Sequence, residues 1–197
     1  VPNRFLHLVR HGDALDDGAL TEAGVEQARL VGQRLRELPL SAIHHSPLQR
    51  AVQTTELIRQ YVPDVPVYSS EVVGDYIPPI PDGDRLNGPA AMVCDGVPPD
   101  ELGRGAALAA AAIERYAVPA ERDSHELIVT HNFLIGWFVR HALDAPAWRW
   151  LGLNQCNCAL TTILYRPNRP PSLVAFNDMG HLPPALRWTG FPPELRI

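Results

Sequence analysis

Short apolar runs alternate along this chain with longer stretches in which apolar residues recur at helical spacing. Residues 5–9 form a run that stops at Arg10, as a buried strand does before delivering polar groups into a loop. Thr21 caps a predicted helix over 22–38, where Val25, Ala28, Val31, Leu35 and Leu38 share one face and Pro39 ends the pattern. Residues 41–45 read as a second strand. Ser46-Pro47 then fits an N-cap and first position for a helix reaching Tyr61.

After a short strand at 65–68, residues 69–99 are rich in Pro, Gly and Asp and show no helical period, so a long surface loop is expected. An alanine-rich helix over 101–116, a strand at 126–130 and a helix over 132–143 follow. Strands at 159–165 and 172–176 close the pattern, joined by a proline-restricted turn at 166–171. Alternating strands and helices imply an α/β fold: a single three-layer α/β/α sandwich with a mostly parallel mixed sheet. Arg10, His11 and His131 would all lie just past strand ends, at one crevice.

Composition narrows the possibilities. With 197 residues and 46% hydrophobic content the chain can bury one sizeable core, so a single domain is expected. A net charge of -5 and a pI near 5.9 argue against nonspecific binding to nucleic acid or to an anionic membrane. No apolar run is long enough to span a bilayer, and no basic region followed by an apolar stretch opens the chain, so a cytoplasmic protein is expected. Cys94, Cys156 and Cys158 have no ligand-spaced partners, and they read as reduced thiols without metal.

Phosphoryl transfer needs a nucleophile aimed at phosphorus, positive charge around the equatorial oxygens, and a proton for the leaving oxygen. His11 can attack through one nitrogen if neutral, which neighbouring cations such as Arg10 favour, while the other nitrogen donates to a backbone carbonyl. Arg10 and Arg50 suit a planar clamp on phosphate oxygens. His131 adds a donor, and the N–H groups opening the helix at Asn132 add partial positive charge. Gly12 lets the backbone approach closely.

Leu8-Val-Arg-His-Gly12, Leu20-Thr-Glu-Ala-Gly-Val-Glu-Gln-Ala28, Ser46-Pro-Leu-Gln-Arg-Ala-Val-Gln-Thr54, Val129-Thr-His131 and Asn157-Cys-Ala-Leu-Thr161 together resemble the histidine phosphatase superfamily, which includes the cofactor-dependent phosphoglycerate mutases. The resemblance implies a phosphoglycerate mutase-like fold, His11 as the phosphorylated nucleophile, and Arg10, Arg50 and His131 as the phosphate pocket. It also implies an acid soon after the second arginine block. Glu71 is the best positional match for this proton donor and Asp75 the reserve.

Asp13-Ala-Leu-Asp-Asp-Gly18 replaces the mutase-like residues after the signature, and the segment after Glu71 does not resemble the mutase substrate loop, so hydrolysis is expected over mutase activity; no metal or cofactor is expected, because the arginines and histidine supply the charge. The segment from Arg166-Pro-Asn168 to Gly180-His-Leu-Pro-Pro184 resembles a branch that includes serine/threonine protein phosphatases. The expected partner is a phosphorylated small molecule. A phosphoprotein substrate, mutase activity and non-catalytic binding of a phosphate ligand are also compatible with these residues. The 69–99 loop, with Tyr76, Ile77 and Arg85, is expected to cover the pocket and set specificity. Oligomeric state is open.

Overall fold

A computed structural model describes residues 1–80 and 93–196. Its centre is a six-stranded sheet of β1 (Arg4–Arg10), β2 (Leu40–His45), β3 (Val67–Ser69), β4 (Ser124–Thr130), β5 (Leu160–Tyr165) and β6 (Ser172–Asp178), in the order β3-β2-β4-β1-β5-β6. The first four strands in that order run parallel, while β5 is antiparallel to both β1 and β6. The sheet is therefore mixed and mostly parallel, as expected.

Strand alternation sorts the core into two halves, because successive side chains face opposite sides of the sheet. Leu6, Leu8 and Ile128 pack under α3 (Pro99–Tyr116) and α4 (Asn132–Ala142), against Ala109, Ala112, Ile135 and Phe138. Val9, Leu127 and Val129 point the other way, onto Ala28, Val31 and Leu35 of α1 (Glu22–Leu35) and Ile58 of α2 (Gln49–Arg59). Val31, Leu35 and Ile58 are wholly buried, and each such side chain stabilises the fold by roughly 1.5–3 kcal/mol. Helices thus cover both faces.

Thr21 caps α1 by accepting the Gly24 N–H at 3.0 Å, but the helix stops at Leu35, three residues before the expected end. The Leu38 N–H turns back to Leu35 O at 3.0 Å instead. The α2 helix begins at Gln49 rather than Pro47, with Leu48 at its N-cap and no side-chain cap. Ser46, expected to cap it, is buried and directs its hydroxyl at His131.

The expected long loop is partly built structure. Residues 71–73 form a 3-10 turn, Val73 is buried, and the Tyr76 hydroxyl donates to Val72 O at 2.6 Å. Trp150 donates its indole N–H to Pro79 O at 3.1 Å, and a Cβ on Gly105 of α3 would collide with Ile77 O. Only a glycine admits that approach. Arg85 lies outside the described residues. No helix among the described residues is long and apolar enough to cross a membrane.

Candidate active site

Parallel register brings the chemistry together. Arg10 of β1 sits opposite Thr130 of β4, and His45 of β2 opposite Val129. Past those ends the ladder continues, with the His11 N–H on Thr130 O and the Ser46 N–H on Val129 O, both at 3.0 Å. His11, Ser46 and His131 therefore leave three neighbouring strands at one edge. The His11 and His131 rings stand 5.1 Å apart between centroids, tilted by 54°.

His11 Nδ1 lies 2.8 Å from Gly12 O; that carbonyl can only accept, so the proton is on Nδ1 and Nε2 holds a lone pair. Arg50 donates its Nε–H to this lone pair at 3.2 Å. Burial, the adjacent His131 and the two arginines lower the His11 pKa to about 3, against the raising effect of the Gly12 carbonyl. The imidazole is neutral at pH 7. Burial together with Arg50 and Arg10 likewise lowers His131 to about 3.

The loop carrying His11 is tied from several sides. Gly12 donates its N–H to Thr54 Oγ1 at 3.0 Å, and a Cβ there would strike Gly24 O at 2.6 Å. Asn157 donates to His11 O at 2.8 Å, and the Asp13 N–H to Gln27 Oε1 at 2.9 Å. His131 Nε2 meets Ser46 Oγ at 2.8 Å, and Leu48 N–H occupies one lone pair of that hydroxyl. Donation of the Ser46 O–H to Nε2 leaves the proton on Nδ1, a buried atom with no hydrogen-bond partner among the described residues.

Asp75 faces two members of this group: its Oδ2 is 2.6 Å from Arg50 Nη2 and 3.5 Å from His131 Nδ1. The Thr130 hydroxyl, donating to Val73 O at 2.7 Å, fastens the turn that carries Asp75 to the end of β4. Glu71 is not brought into this group. It lies well exposed and pairs with Arg104 of α3 instead. Both acids line a cleft of about 230 Å³ together with Pro47, Leu48, Tyr76 and Arg104.

Arg10 donates its Nη1 hydrogens to Gln155 O at 2.7 Å and Gly190 O at 2.8 Å, and its Nε is buried without a partner among the described residues. The Asn132 side chain does not face the histidines: its amide donates to Asn154 Oδ1 and accepts the Gln155 N–H. What it offers the site is the N-terminus of α4. His181 meets Cys158 O at 2.9 Å and Arg34 Nη1 at 3.1 Å. Among the described residues no three His, Cys, Asp or Glu side chains are grouped to hold a metal ion.

Sequence reasoning did not assign Ser46, Thr54, Gln27 or Asn157 to the site. All four stand inside the motif blocks that carry the family resemblance; their polar character at buried helix-face and strand-end positions was the available signal.

The chain matches the profile of the histidine phosphatase superfamily (branch 1) over residues 6–72 and 103–179. It is 33% identical over 192 residues to the mitochondrial serine/threonine-protein phosphatase PGAM5 of Mus musculus, covering 92% of this chain and 65% of that protein. With the Caenorhabditis briggsae protein of that name the identity is 32% over 193 residues, covering 92% of this chain and 65% of the relative. The chain thus spans just under two thirds of the length of these relatives. Both are mitochondrial by name, which overturns the expectation of a cytoplasmic protein.

Among solved structures, phosphoserine phosphatase from Entamoeba histolytica in complex with 3-phosphoglyceric acid superposes with a TM-score of 0.66 at 24% identity, covering 91% of this chain and all of that one. Phosphoglycerate mutase from Plasmodium falciparum gives 0.65 at 23%, covering 93% and 96%. These likenesses show the fold, which is phosphoglycerate mutase-like.

Proposed function

The chain belongs to the histidine phosphatase superfamily, and from that membership we propose that it hydrolyses phosphomonoesters through a phosphohistidine on His11. The observation that carries this reading is the neutral His11, with its Nδ1 hydrogen fixed on Gly12 O and the Nε2 lone pair turned to Arg50. An incoming phosphoryl group takes the Arg50 N–H from that lone pair onto its own oxygen and leaves Nε2 free to attack. Arg10, Arg50 and His131 then surround the equatorial oxygens with donors, and the open turn of α4 adds its N–H groups. Among the described residues the buried Arg10 Nε has no hydrogen-bond partner, and the buried His131 Nδ1 has none either, with only Asp75 3.5 Å away; both support this assignment, since buried polar groups are rarely left unsatisfied without a ligand to meet them.

For the proton donor we assign Asp75 in place of Glu71. Asp75 touches two members of the phosphate group, whereas Glu71 is paired to Arg104 on the outer rim. A general acid has to reach the leaving oxygen, and Asp75 stands beside the donors that would hold the phosphoryl group. It protonates the leaving oxygen as the P–O bond breaks and the P–N bond to His11 forms. The resulting carboxylate then takes a proton from water, whose oxygen attacks the phosphohistidine and returns the His11 lone pair. Two in-line displacements leave net retention at phosphorus.

The leaving group is proposed to be a serine or threonine side chain of a protein. Support comes from the name that the curated relatives carry. We also read the chain as one catalytic domain, its two core halves sharing one sheet, with the described residues 69–80 and 93–99 beside the substrate. A panel of phosphoserine and phosphothreonine peptides, sugar phosphates and nucleotides, run with and without chelator, tests this. Faster turnover of the peptides, unaffected by chelator, is expected; a preference for a small phosphate ester would overturn the substrate assignment.

A further inference from the structure

The end of the described chain grips the site from behind. Both hydrogens of Arg10 Nη1 are taken by main-chain carbonyls, those of Gln155 and Gly190, so the edge of the guanidinium left for an anion is Nε and Nη2. Gly190 itself sits at φ +70°, and a Cβ there would collide with Asn157 Oδ1 and fall 2.7 Å from Arg10 Nη1. Its neighbour Thr189 accepts the Asn157 N–H on its carbonyl at 3.1 Å and the Gln27 amide on its hydroxyl at 2.7 Å. Gln27 is fully buried. It also donates to Leu186 O at 2.8 Å and accepts from the Asp13 N–H, just past His11-Gly12.

The segment 186–190 is only half-buried, yet it supplies the acceptors that fix a buried arginine. Its ties end on Arg10 at the tip of β1, on Asn157, and on Gln27 of α1, which in turn holds the Asp13 N–H beside His11-Gly12. We propose that residues 186–190 form a strap that positions Arg10 for phosphate, with Thr189, Gly190 and Gln27 as positioning residues acting through that arginine. This rests on Arg10 belonging to the phosphate pocket. With the strap displaced, Nη1 loses an acceptor and the guanidinium can rotate its wrong edge toward the anion. The phosphate affinity then falls although no residue touching phosphate has changed.

The test is a double-mutant cycle on orthovanadate affinity, measured by calorimetry, with thermal unfolding recorded for every variant. Gly190→Ala is expected to weaken vanadate about tenfold or more, and Thr189→Val several-fold, as loss of hydrogen bonds around a charged group does. Thr189→Ser, which keeps the hydroxyl, should restore wild-type affinity. In an Arg10→Ala background neither strap substitution should weaken vanadate by more than about twofold further, because the coupling runs through the missing side chain. Losses that multiply in that background, or full affinity in both strap variants, would overturn the strap. Unchanged affinity in Arg10→Ala alone would instead overturn the phosphate pocket on which it rests. If Gly190→Ala unfolds, the Thr189 pair decides.

Discussion

Arg50 holds its Nε–H 3.2 Å from the unprotonated nitrogen of His11 while its Nη2 lies 2.6 Å from Asp75. One guanidinium therefore touches both the proposed nucleophile and the proposed proton donor, and it must let go of the first for phosphorus to approach. A lysine has one point charge and no fork, so it cannot do both. Arg50→Lys is expected to lower kcat/KM by about a hundredfold or more, the scale seen when one transition-state donor is lost. The unfolding midpoint should hardly move, since Arg50 is not part of either core half. Activity within a few-fold of wild type would remove Arg50 from the mechanism.

The two acids separate by leaving group. Asp75→Asn should slow an alkyl phosphate, whose alkoxide needs a proton, by about 10²-fold or more. It should slow the first-turnover release of nitrophenolate from a nitrophenyl phosphate much less, because that leaving group needs no proton and only the later hydrolysis of phosphohistidine still uses the carboxylate. Glu71→Gln breaks only an exposed ion pair, an interaction typically worth under about 1 kcal/mol, and should leave both substrates within about fivefold. The reverse ranking in a leaving-group series would return the role to Glu71.

That Arg10, His11, Arg50 and His131 meet at one edge of the sheet was legible in the sequence because each stands at a strand end or in the first turn of a helix, where a residue count determines location. Parallel pairing of Arg10 with Thr130 then does the rest. Which of the two acids stands nearer to those four residues was not legible. Glu71 and Asp75 are separated by a 3-10 turn whose orientation comes from the tie between Thr130 and Val73, a contact far apart in sequence. Ser46 misled for a similar reason: it has the composition of an N-cap, but His131 competes for its hydroxyl. The strap on Arg10 has no sequence signature at all, because its acceptors are main-chain carbonyls.

Close backbone packing under the site makes its glycines irreplaceable. In Gly12→Ala the new methyl would meet Gly24 O at 2.6 Å, and in Gly24→Ala it would run into Asp13 O. Overpacking of this kind costs about 1–3 kcal/mol, and backbone cannot swing aside as a side-chain end can. Each variant is expected to unfold at lower denaturant with an unchanged m-value. Midpoints equal to wild type would show that α1 can move away from the loop.

Four histidines tie stability to pH. Burial is the first cause that lowers His7 and His181 to about 4, and His11 and His131 to about 3, against 6.5 in the unfolded chain. Below 6.5 the unfolded state takes up protons that the folded sites refuse, so the stability they contribute is complete above that pH and is lost as the pH falls toward 4 and 3. The unfolding midpoint should be level from pH 7 to 8 and drop steadily between 6.5 and 4. His7→Gln, distant from the phosphate pocket, should flatten that slope. A midpoint independent of pH across the window would contradict the neutral, buried imidazoles.

The most direct measurement is to quench the enzyme in alkali during turnover of a phosphomonoester and locate the phosphoryl group by peptide mass analysis. A phosphoramidate on His11, stable in alkali, lost in acid and absent from His11→Ala together with all turnover, is the predicted result. Turnover persisting in His11→Ala, or a phosphoryl group carried by any other residue, would contradict it.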